Sequence, residues 1–183
     1  MVKNDEWIIK TAREHGLMEP FEAGQVRDGV ISYGVSSYGY DLRLAREFRL
    51  PRFEEHTIVD PKDGSSLAYD AVTADSILIP PGSFLLGRSL EYFRIPRDVL
   101  ALCTGKSTYA RSGVVVNVTP LEPEWEGYIT INIFNAGPVP VKLYAGEGVA
   151  QVMFFAAEAP CATSYADRKG KYQAQQDITQ SKI

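Results

Sequence analysis

Residues 128–135 read YITINIFN, a stretch in which apolar and polar side chains alternate. Successive side chains of a β-strand point to opposite faces, so Ile129, Ile131 and Ile133 share one face, which we predict to lie in a core. The opposite face is mixed in character and can line a site. Its members are Tyr128, Thr130, Asn132 and Phe134.

Short β-rich runs of this kind occupy most of the chain after Val26, and Gly, Pro, Asn and Asp separate them. Short strands separated by such turn-forming residues are typical of an all-β sandwich or barrel with minor helix. The predicted strands are 56–60, 76–79, 83–88, 99–104, 113–118, 128–135, 139–144 and 149–155. We therefore expect a mainly β fold.

One amphipathic helix precedes these strands. Asn4 or Asp5 can cap its first turn, and Gly16 can end it. The residues that fall on one of its faces are Trp7, Ile8, Ala12 and His15.

The composition predicts one soluble globular domain, residues 1–183. The 183 residues include 45% hydrophobic and 23% charged residues, which excludes a disordered chain. The net charge of −4 disfavours nucleic acid and anionic membranes as partners. No apolar run is long enough to span a bilayer and no secretory leader is evident, so we expect a cytoplasmic protein with Cys103 and Cys161 reduced.

Residues 105–108 read GKST, which invites comparison with the phosphate loop of nucleotide triphosphatases. That loop needs a Gly five positions before Gly105, where this chain has Leu100, and it must open a helix. The segment is therefore not such a loop. Two cations and two hydroxyls still fall within six residues, so a phosphate site of another kind and an ordinary solvated turn both remain open; these residues are Lys106, Ser107, Thr108 and Arg111.

Zinc-dependent deamination requires His-x-Glu followed by Pro-Cys-x-x-Cys, and neither His15 nor His56 begins such a motif. We therefore expect no zinc and no protein-bound metal. A carboxylate cluster around Trp125 comprises Glu122, Glu124 and Glu126. Most such clusters are solvated loops, although the central aromatic offers a surface on which a base can stack.

Several longer stretches together carry a resemblance that covers nearly the whole chain. They are SSYGYDLR at 36–43, IVDPK at 58–62, IPPGSF at 79–84, EYFRIPRDVL at 91–100, GKSTYARSG at 105–113, VNVTPLEPEWEG at 116–127, GEGVAQV at 146–152 and SYADRKGKYQAQ at 164–175. On these residues the chain resembles bacterial dCTP deaminases, which belong to the superfamily shared with trimeric dUTPases.

The resemblance implies a distorted β-barrel or jelly-roll subunit of the dUTPase-like type. It also implies a homotrimer with sites between subunits, Mg²⁺ carried by the nucleotide triphosphate, and a C-terminal tail, residues 165–183, that closes over the bound nucleotide. The implied ligands are dCTP or dUTP, with dTTP as a candidate inhibitor.

The resemblance also assigns roles to individual residues. Lys106, Ser107, Thr108 and Arg111 would hold phosphates or position water, and Gln151 would contact the triphosphate. The tail would add Tyr165, Lys171, Tyr172 and Gln175. The backbone of Val118, Thr119 and Pro120 would read the base, and Trp125 would line the sugar side.

Asn132 is the main departure from the family pattern. The family deaminases carry a Glu at this place, which activates water and protonates the cytosine ring as water attacks C4. An amide has no titratable proton, and loss of a general acid or base typically costs about 10²- to 10⁴-fold in rate. Ile133 and Phe134 also differ from the family pattern, which predicts a remodelled pocket.

Three hypotheses follow for the function. The first is deamination of dCTP to dUTP and ammonia, with Glu122, Glu124, Glu126 or a bound water replacing the missing Glu. The second is a diphosphatase that cleaves dUTP or dCTP to the monophosphate and pyrophosphate with Mg²⁺ and Glu122, although the Gly-x-x-Asp-x-x-Tyr hairpin of dUTPases is absent. The third is a non-catalytic nucleotide-binding trimer. We take the first as the leading hypothesis.

Overall fold

The first element of the fold is the predicted helix, α1 (Asp5–His15). In a computed structural model, which describes residues 1–182, the Asn4 side chain caps this helix by accepting a hydrogen bond from Trp7 N at 3.1 Å. Gly16 ends the helix in a left-handed conformation with φ of 63°. The His15 side chain, on the predicted apolar face, is 71% exposed because it lies in the last turn beside this cap.

The rest of the described chain is built from eleven strands and one short helical turn. Their bounds in chain order are β1 (Met18–Glu19), β2 (Gly34–Ser36), β3 (Gly39–Arg52), β4 (Ala68–Thr73), β5 (Ser76–Ile79), β6 (Phe84–Arg94), β7 (Val99–Gly105), α2 (Ser107–Ala110), β8 (Val114–Asn117), β9 (Glu126–Asn135), β10 (Val141–Tyr144) and β11 (Gly148–Ala156).

The main sheet runs in the order β7-β11-β3-β6-β9-β8, with β1 added to β6 and with β2 and β4 added to β3. The strands β10 and β5 form a separate pair. The two end strands of the main sheet approach each other, since a Cβ placed on Gly105 of β7 would lie 3.5 Å from Cβ of Val116 on β8. The sheet is therefore a nearly closed, distorted barrel, and the predicted mainly β fold with an N-terminal helix is confirmed.

The strand β9, which contains residues 128–135, alternates as predicted. Ile129, Ile131 and Ile133 are at most 1% exposed, whereas the residues between them are half-buried. Burial of an aliphatic side chain of this size contributes about 1.5–3 kcal/mol, so this face is a major part of the core. The other face of β9 remains accessible.

The strand prediction is wrong at residues 56–60, and it missed the strands β1, β2, β3 and β4. Of residues 56–60, His56 lies in a turn with a positive φ of 70°, and residues 57–60 are irregular. The longest strand, β3, was not predicted because Asp, Arg and Glu interrupt its hydrophobic pattern. Several of these polar side chains have partners within the fold, so they are compatible with a central strand. They nevertheless interrupt the alternation of apolar and polar residues that would have identified the strand.

A largely buried ion pair joins β3 to β6, with the side chains of Arg43 and Glu91 16% and 0% exposed. Arg43 Nε donates to Glu91 Oε1 at 2.7 Å, and Arg43 N donates to Glu91 Oε2 at 3.0 Å. The Tyr40 hydroxyl also lies 3.4 Å from this carboxylate. Burial raises the pKa of Glu91, and the neighbouring Arg43 opposes that shift. None of the residues in this pair was a predicted site residue.

Within residues 1–182, no helix is both long enough and apolar enough to cross a membrane. Cys103 and Cys161 are free thiols. Burial raises the pKa of the Cys103 thiol to about 12, so this cysteine is a packing residue.

Candidate functional site

A cavity of about 470 Å³ lies between the loop after β8, the first half of β9 and the C-terminal tail. This volume is in the range of small-molecule sites. We call this cavity the pocket. Its wall consists of Val118, Thr119, Pro120, Leu121, Glu122, Trp125, Ile129, Thr130, Tyr165, Lys171, Tyr172, Gln175 and Thr179.

The loop that forms one side of the pocket is fixed by backbone pairing to β7. Leu121 N donates to Ala101 O at 2.9 Å, and Ala101 N donates to Leu121 O at 3.0 Å. Trp125 is buried, with 6% of its surface exposed, and its indole Nε1 donates to Tyr172 O at 2.9 Å. The indole therefore joins this loop to the tail.

The tail docks along the part of β9 that β8 does not cover, because β8 pairs only with residues 132–135. Tyr128 N donates to Gln175 O at 2.9 Å. The Gln175 side chain donates to Tyr128 O at 2.7 Å and to Thr130 Oγ1 at 2.6 Å. Gly127 permits this approach, since a Cβ there would lie 2.8 Å from Gln175 N. The tail thus continues the hydrogen bonding of the sheet edge.

Ion pairs fasten the start of the tail to the carboxylate cluster. Arg97 bridges Glu124 at 2.6 Å and Asp167 at 2.7 Å. Hydrogen bonds from Ser164 and from the Arg97 guanidinium lower the pKa of Asp167. Arg168 pairs with Glu122.

The three carboxylates of the cluster have different surroundings. Glu122 is the only carboxylate among the described residues that line the pocket. Glu124 is held by Arg97, and Glu126 faces a different groove beside Tyr92 and Arg94. Of the three carboxylates that were candidates to replace the missing Glu, only Glu122 borders the pocket.

Asn132 lies on the accessible face of β9, two residues beyond Thr130. It is half-buried, and its cross-strand neighbours are Leu86 on β6 and Asn117 on β8. Thr130 belongs to the pocket wall, whereas Asn132 is not among the described residues of that wall. Ile133 and Phe134 are the two neighbours of Asn132 that also differ from the family pattern. Ile133 faces the core, so only Phe134 lies on the same face as Asn132.

A second group of predicted site residues clusters around α2, away from the pocket wall. Gln151 on β11 belongs to it together with Lys106, Ser107, Thr108 and Arg111, and we call these five residues the α2 group. Ser107, Thr108 and Arg111 are exposed, and Arg111 donates to Ser107 O at 3.1 Å. Lys106 Nζ is paired with Asp41, and Gln151 Nε2 donates to Asp41 Oδ1 at 3.2 Å.

Apart from Asn132, the predicted site residues therefore form two groups on one chain. Val118, Thr119, Pro120, Glu122, Trp125, Tyr165, Lys171, Tyr172 and Gln175 line the pocket. Five residues at these two groups were not predicted as site residues: Leu121, Ile129, Thr130 and Thr179 in the pocket and Asp41 beside the α2 group. The alternation of β9 placed Thr130 on the accessible face of that strand, and Asp41 lies within the SSYGYDLR stretch. Neither pattern shows that Thr130 contacts Gln175 or that Asp41 contacts Lys106.

No group of three or more His, Cys, Asp or Glu side chains within residues 1–182 comes close enough to hold a metal ion.

Comparisons with known proteins place the chain in one family. Residues 2–157 match the family described as dCTP deaminase-like. The sequence is 56% identical to a dCTP deaminase of Acidobacterium capsulatum over 182 residues, which cover 100% of this chain and 99% of that protein. It is also 56% identical to a dCTP deaminase of Chlamydia felis over 184 residues, with 97% of each chain covered.

A solved structure supports the fold assignment. The 2′-deoxycytidine 5′-triphosphate deaminase of Agrobacterium tumefaciens aligns with a TM-score of 0.64 at 17% identity. The alignment covers 86% of this chain but only 48% of that protein, so this chain spans about half of its length. At this identity the likeness concerns the fold alone.

Proposed function

The chain belongs to the dCTP deaminase family, and from this premise we propose that it hydrolyses dCTP to dUTP and ammonia. The observation that carries the proposal is identity of 55–57% to dCTP deaminases over 97–100% of this chain. The two groups of polar residues described above supply the binding functions that this reaction needs.

The pocket suits a deoxycytidine. The backbone of Val118, Thr119 and Pro120 supplies polar groups at a fixed loop, and the buried indole of Trp125 supplies an apolar wall. A small number of fixed polar groups in a mostly apolar cavity is the usual basis of small-molecule specificity. We assign the base and sugar to this side.

The triphosphate requires cations, which the α2 group offers through Lys106 and Arg111, with the hydroxyls of Ser107 and Thr108 beside them. Arg111 is exposed and charged, so it can form charge-assisted hydrogen bonds to phosphate oxygens. Since Mg²⁺ would enter with the triphosphate, we treat Mg²⁺·dCTP as the substrate.

The separation of the two groups on one chain supports an assembly in which a neighbouring copy completes each site. In a closed ring of identical subunits, the pocket of one chain can meet the α2 group of the next. A homotrimer of this kind is our proposed assembly. The tail from Tyr165 onward would then close each pocket over the nucleotide.

The proton transfers in deamination need a group other than Asn132. Water adds to C4 of cytosine and loses a proton, the ring N3 gains one, and N4 leaves as ammonia when it has been protonated. Asn132 can donate or accept hydrogen bonds at the base but cannot transfer protons. We assign the proton transfer to Glu122, the carboxylate that borders the pocket, and we expect turnover well below that of a deaminase with a Glu at position 132.

Product analysis tests the proposal. The purified protein is incubated with Mg²⁺ and either dCTP or dUTP, with and without dTTP as competitor, and the products are resolved by anion-exchange chromatography with an ammonia assay. We expect dUTP and ammonia in equal amounts from dCTP. Monophosphate and pyrophosphate would instead establish the diphosphatase, and binding without turnover would establish a nucleotide-binding protein.

Two carboxylate variants serve as a matched pair in this assay. Glu122→Gln should reduce ammonia release about 10²-fold or more if Glu122 transfers protons. Glu126→Gln removes a charge four residues away that faces a different groove, so it should leave the rate unchanged. Equal rates in both variants would exclude Glu122 as the proton carrier.

A further inference from the structure

Asp41 lies at the centre of a buried polar cluster that no binding role has yet explained. Its residue surface is 3% exposed. Its Oδ2 accepts hydrogen bonds from Gln25 Nε2 at 3.0 Å and from Lys106 Nζ, and its Oδ1 accepts one from Gln151 Nε2 at 3.2 Å. Gln151 Nε2 also lies 3.0 Å from Ser36 Oγ.

Two of these three donors belong to the α2 group. Lys106 immediately precedes α2, and Gln151 lies on β11 beside β3. The side chains of Lys106 and Asp41 are 11% and 4% exposed, so their pairing is shielded from water. A buried charge of either sign is costly unless it is paired, and the pair therefore restricts both side chains to one arrangement.

We propose that Asp41 is a positioning residue for triphosphate binding. It holds Lys106 so that the remaining ammonium protons of Lys106 are presented to phosphate oxygens. Gln151, whose two amide protons are taken by Asp41 and Ser36, fixes the carboxylate of Asp41 in place. This inference rests on the proposed binding of a nucleoside triphosphate, but it does not require that the bound nucleotide is deaminated.

The hydrogen-bonding pattern explains why a carboxylate is needed. Three donors converge on Asp41, and a carboxylate is the side chain that accepts at both oxygens. An Asn at this position has one acceptor oxygen and one amino group, so at least one of the three donors would face another donor. Lys106 would also lose its buried counterion. The α2 group would then lose its fixed geometry.

The test compares two ligands that differ only in the phosphates. Dissociation constants for dCTP with Mg²⁺ and for 2′-deoxycytidine are measured by calorimetry for the wild-type protein and for Asp41→Asn. We expect Asp41→Asn to weaken dCTP binding about tenfold or more, since charge-assisted contacts are lost, and to leave deoxycytidine binding within about twofold.

Glu91→Gln is the matched control because Glu91 is also a buried carboxylate paired with a cation, but one that contacts no residue of the pocket or the α2 group. Its ratio of the two dissociation constants should equal that of the wild-type protein. A merely structural role of Asp41 would weaken both ligands equally or neither, and either result would overturn the proposal. Tighter dCTP binding in Asp41→Asn would also overturn it, because Asp41 would then withhold Lys106 from the phosphates.

A second pair of variants covers the case in which Asp41→Asn does not fold. Lys106→Met removes the buried cation, so Asp41→Asn in that background creates no unpaired charge. We expect Lys106→Met to weaken dCTP binding about tenfold and the double variant to add less than about threefold, since coupled residues are not additive. A further tenfold loss in the double variant would show that Asp41 acts independently of Lys106.

Ammonia release by the wild-type protein is recorded separately. If the wild-type protein releases none and Asp41→Asn still selectively loses dCTP, the deaminase proposal fails while the positioning role stands. If the wild-type protein deaminates dCTP and Asp41→Asn changes neither constant, only the positioning role fails.

Discussion

The pocket and the α2 group use ion pairs in different ways. Around the pocket, the partly exposed Arg97 joins Glu124 and Asp167, all with side chains between 36% and 43% exposed. At the α2 group, Lys106 and Asp41 are almost completely buried. Exposed pairs contribute little and are screened by salt, whereas a buried pair cannot separate without a large cost. We therefore expect the tail side of the site to open more readily than the α2 side.

The largest effect that we expect concerns the pocket side. Asn132→Glu restores a carboxylate on the accessible face of β9 and should raise the rate of dCTP deamination by about 10²- to 10⁴-fold, the usual contribution of a general acid or base. Ammonia release at saturating dCTP measures it. Asn132→Gln, which lengthens the side chain without adding a titratable proton, should not raise the rate. An unchanged rate in Asn132→Glu would implicate Phe134, which shares that face.

On the fixed side, Arg111→Ala should weaken dCTP binding by roughly 10- to 100-fold, because a hydrogen bond to a charged group contributes about 1.5–3 kcal/mol. Calorimetry with Mg²⁺·dCTP measures the loss. Arg46→Ala is the control, since Arg46 is an exposed cation paired with Asp75 outside both groups. Equal affinities of Arg111→Ala and the wild-type protein would mean that the phosphates bind elsewhere.

Mixing two impaired variants tests whether the two sides come from different chains. Arg111→Ala retains an intact pocket, and Glu122→Gln retains an intact α2 group. If each site is shared between neighbours, random exchange of subunits should restore roughly a quarter of the wild-type sites. Activity of the mixture after co-refolding measures this recovery, and each variant refolded alone is the control. No recovery would place both groups of one site on the same chain.

The pair of Glu91 with Arg43 shows how burial affects a carboxylate that belongs to neither the pocket nor the α2 group. Burial raises the pKa of Glu91 above its ordinary value of 4.5, so the folded protein binds this proton more tightly than the unfolded chain. Stability should therefore fall as pH rises from 4.5 to the folded-state pKa, by up to about 1.4 kcal/mol per pH unit. Urea unfolding of the wild-type protein relative to Glu91→Gln across this range measures it. Parallel pH profiles would contradict the raised pKa.

The smallest effect concerns the exposed pair at the tail. Arg97→Met should lower the free energy of unfolding by less than about 1 kcal/mol, yet it should increase hydrogen exchange in residues 164–182 because the tail opens more often. High salt should produce the same change in the wild-type protein. Arg46→Met should leave exchange in the tail unchanged. If Arg97→Met leaves hydrogen exchange in the tail unchanged, Gln175 and Trp125 hold the tail without the ion pair.

Local sequence patterns were sufficient to predict features that depend on a single helix or strand. The alternation of residues 128–135 predicted which face of β9 is buried, and Asn4 and Gly16 predicted the ends of α1. Local patterns failed for β3, whose polar residues are satisfied by partners on other elements. The periodicity of that strand is a property of the assembled sheet and not of its own sequence.

By itself, the sequence determined the family, the mainly β fold and the identity of the candidate site residues, because these depend on residue types at fixed spacings. Only the tertiary structure decided which residues meet. It brought Asp41 to Lys106 across 65 positions of the chain and Gln175 to Thr130 across 45. It also separated Glu122, on the pocket wall, from Glu124 and Glu126. Such contacts follow from the order of strands in the sheet, which buries distant residues together, and no local spacing encodes that order.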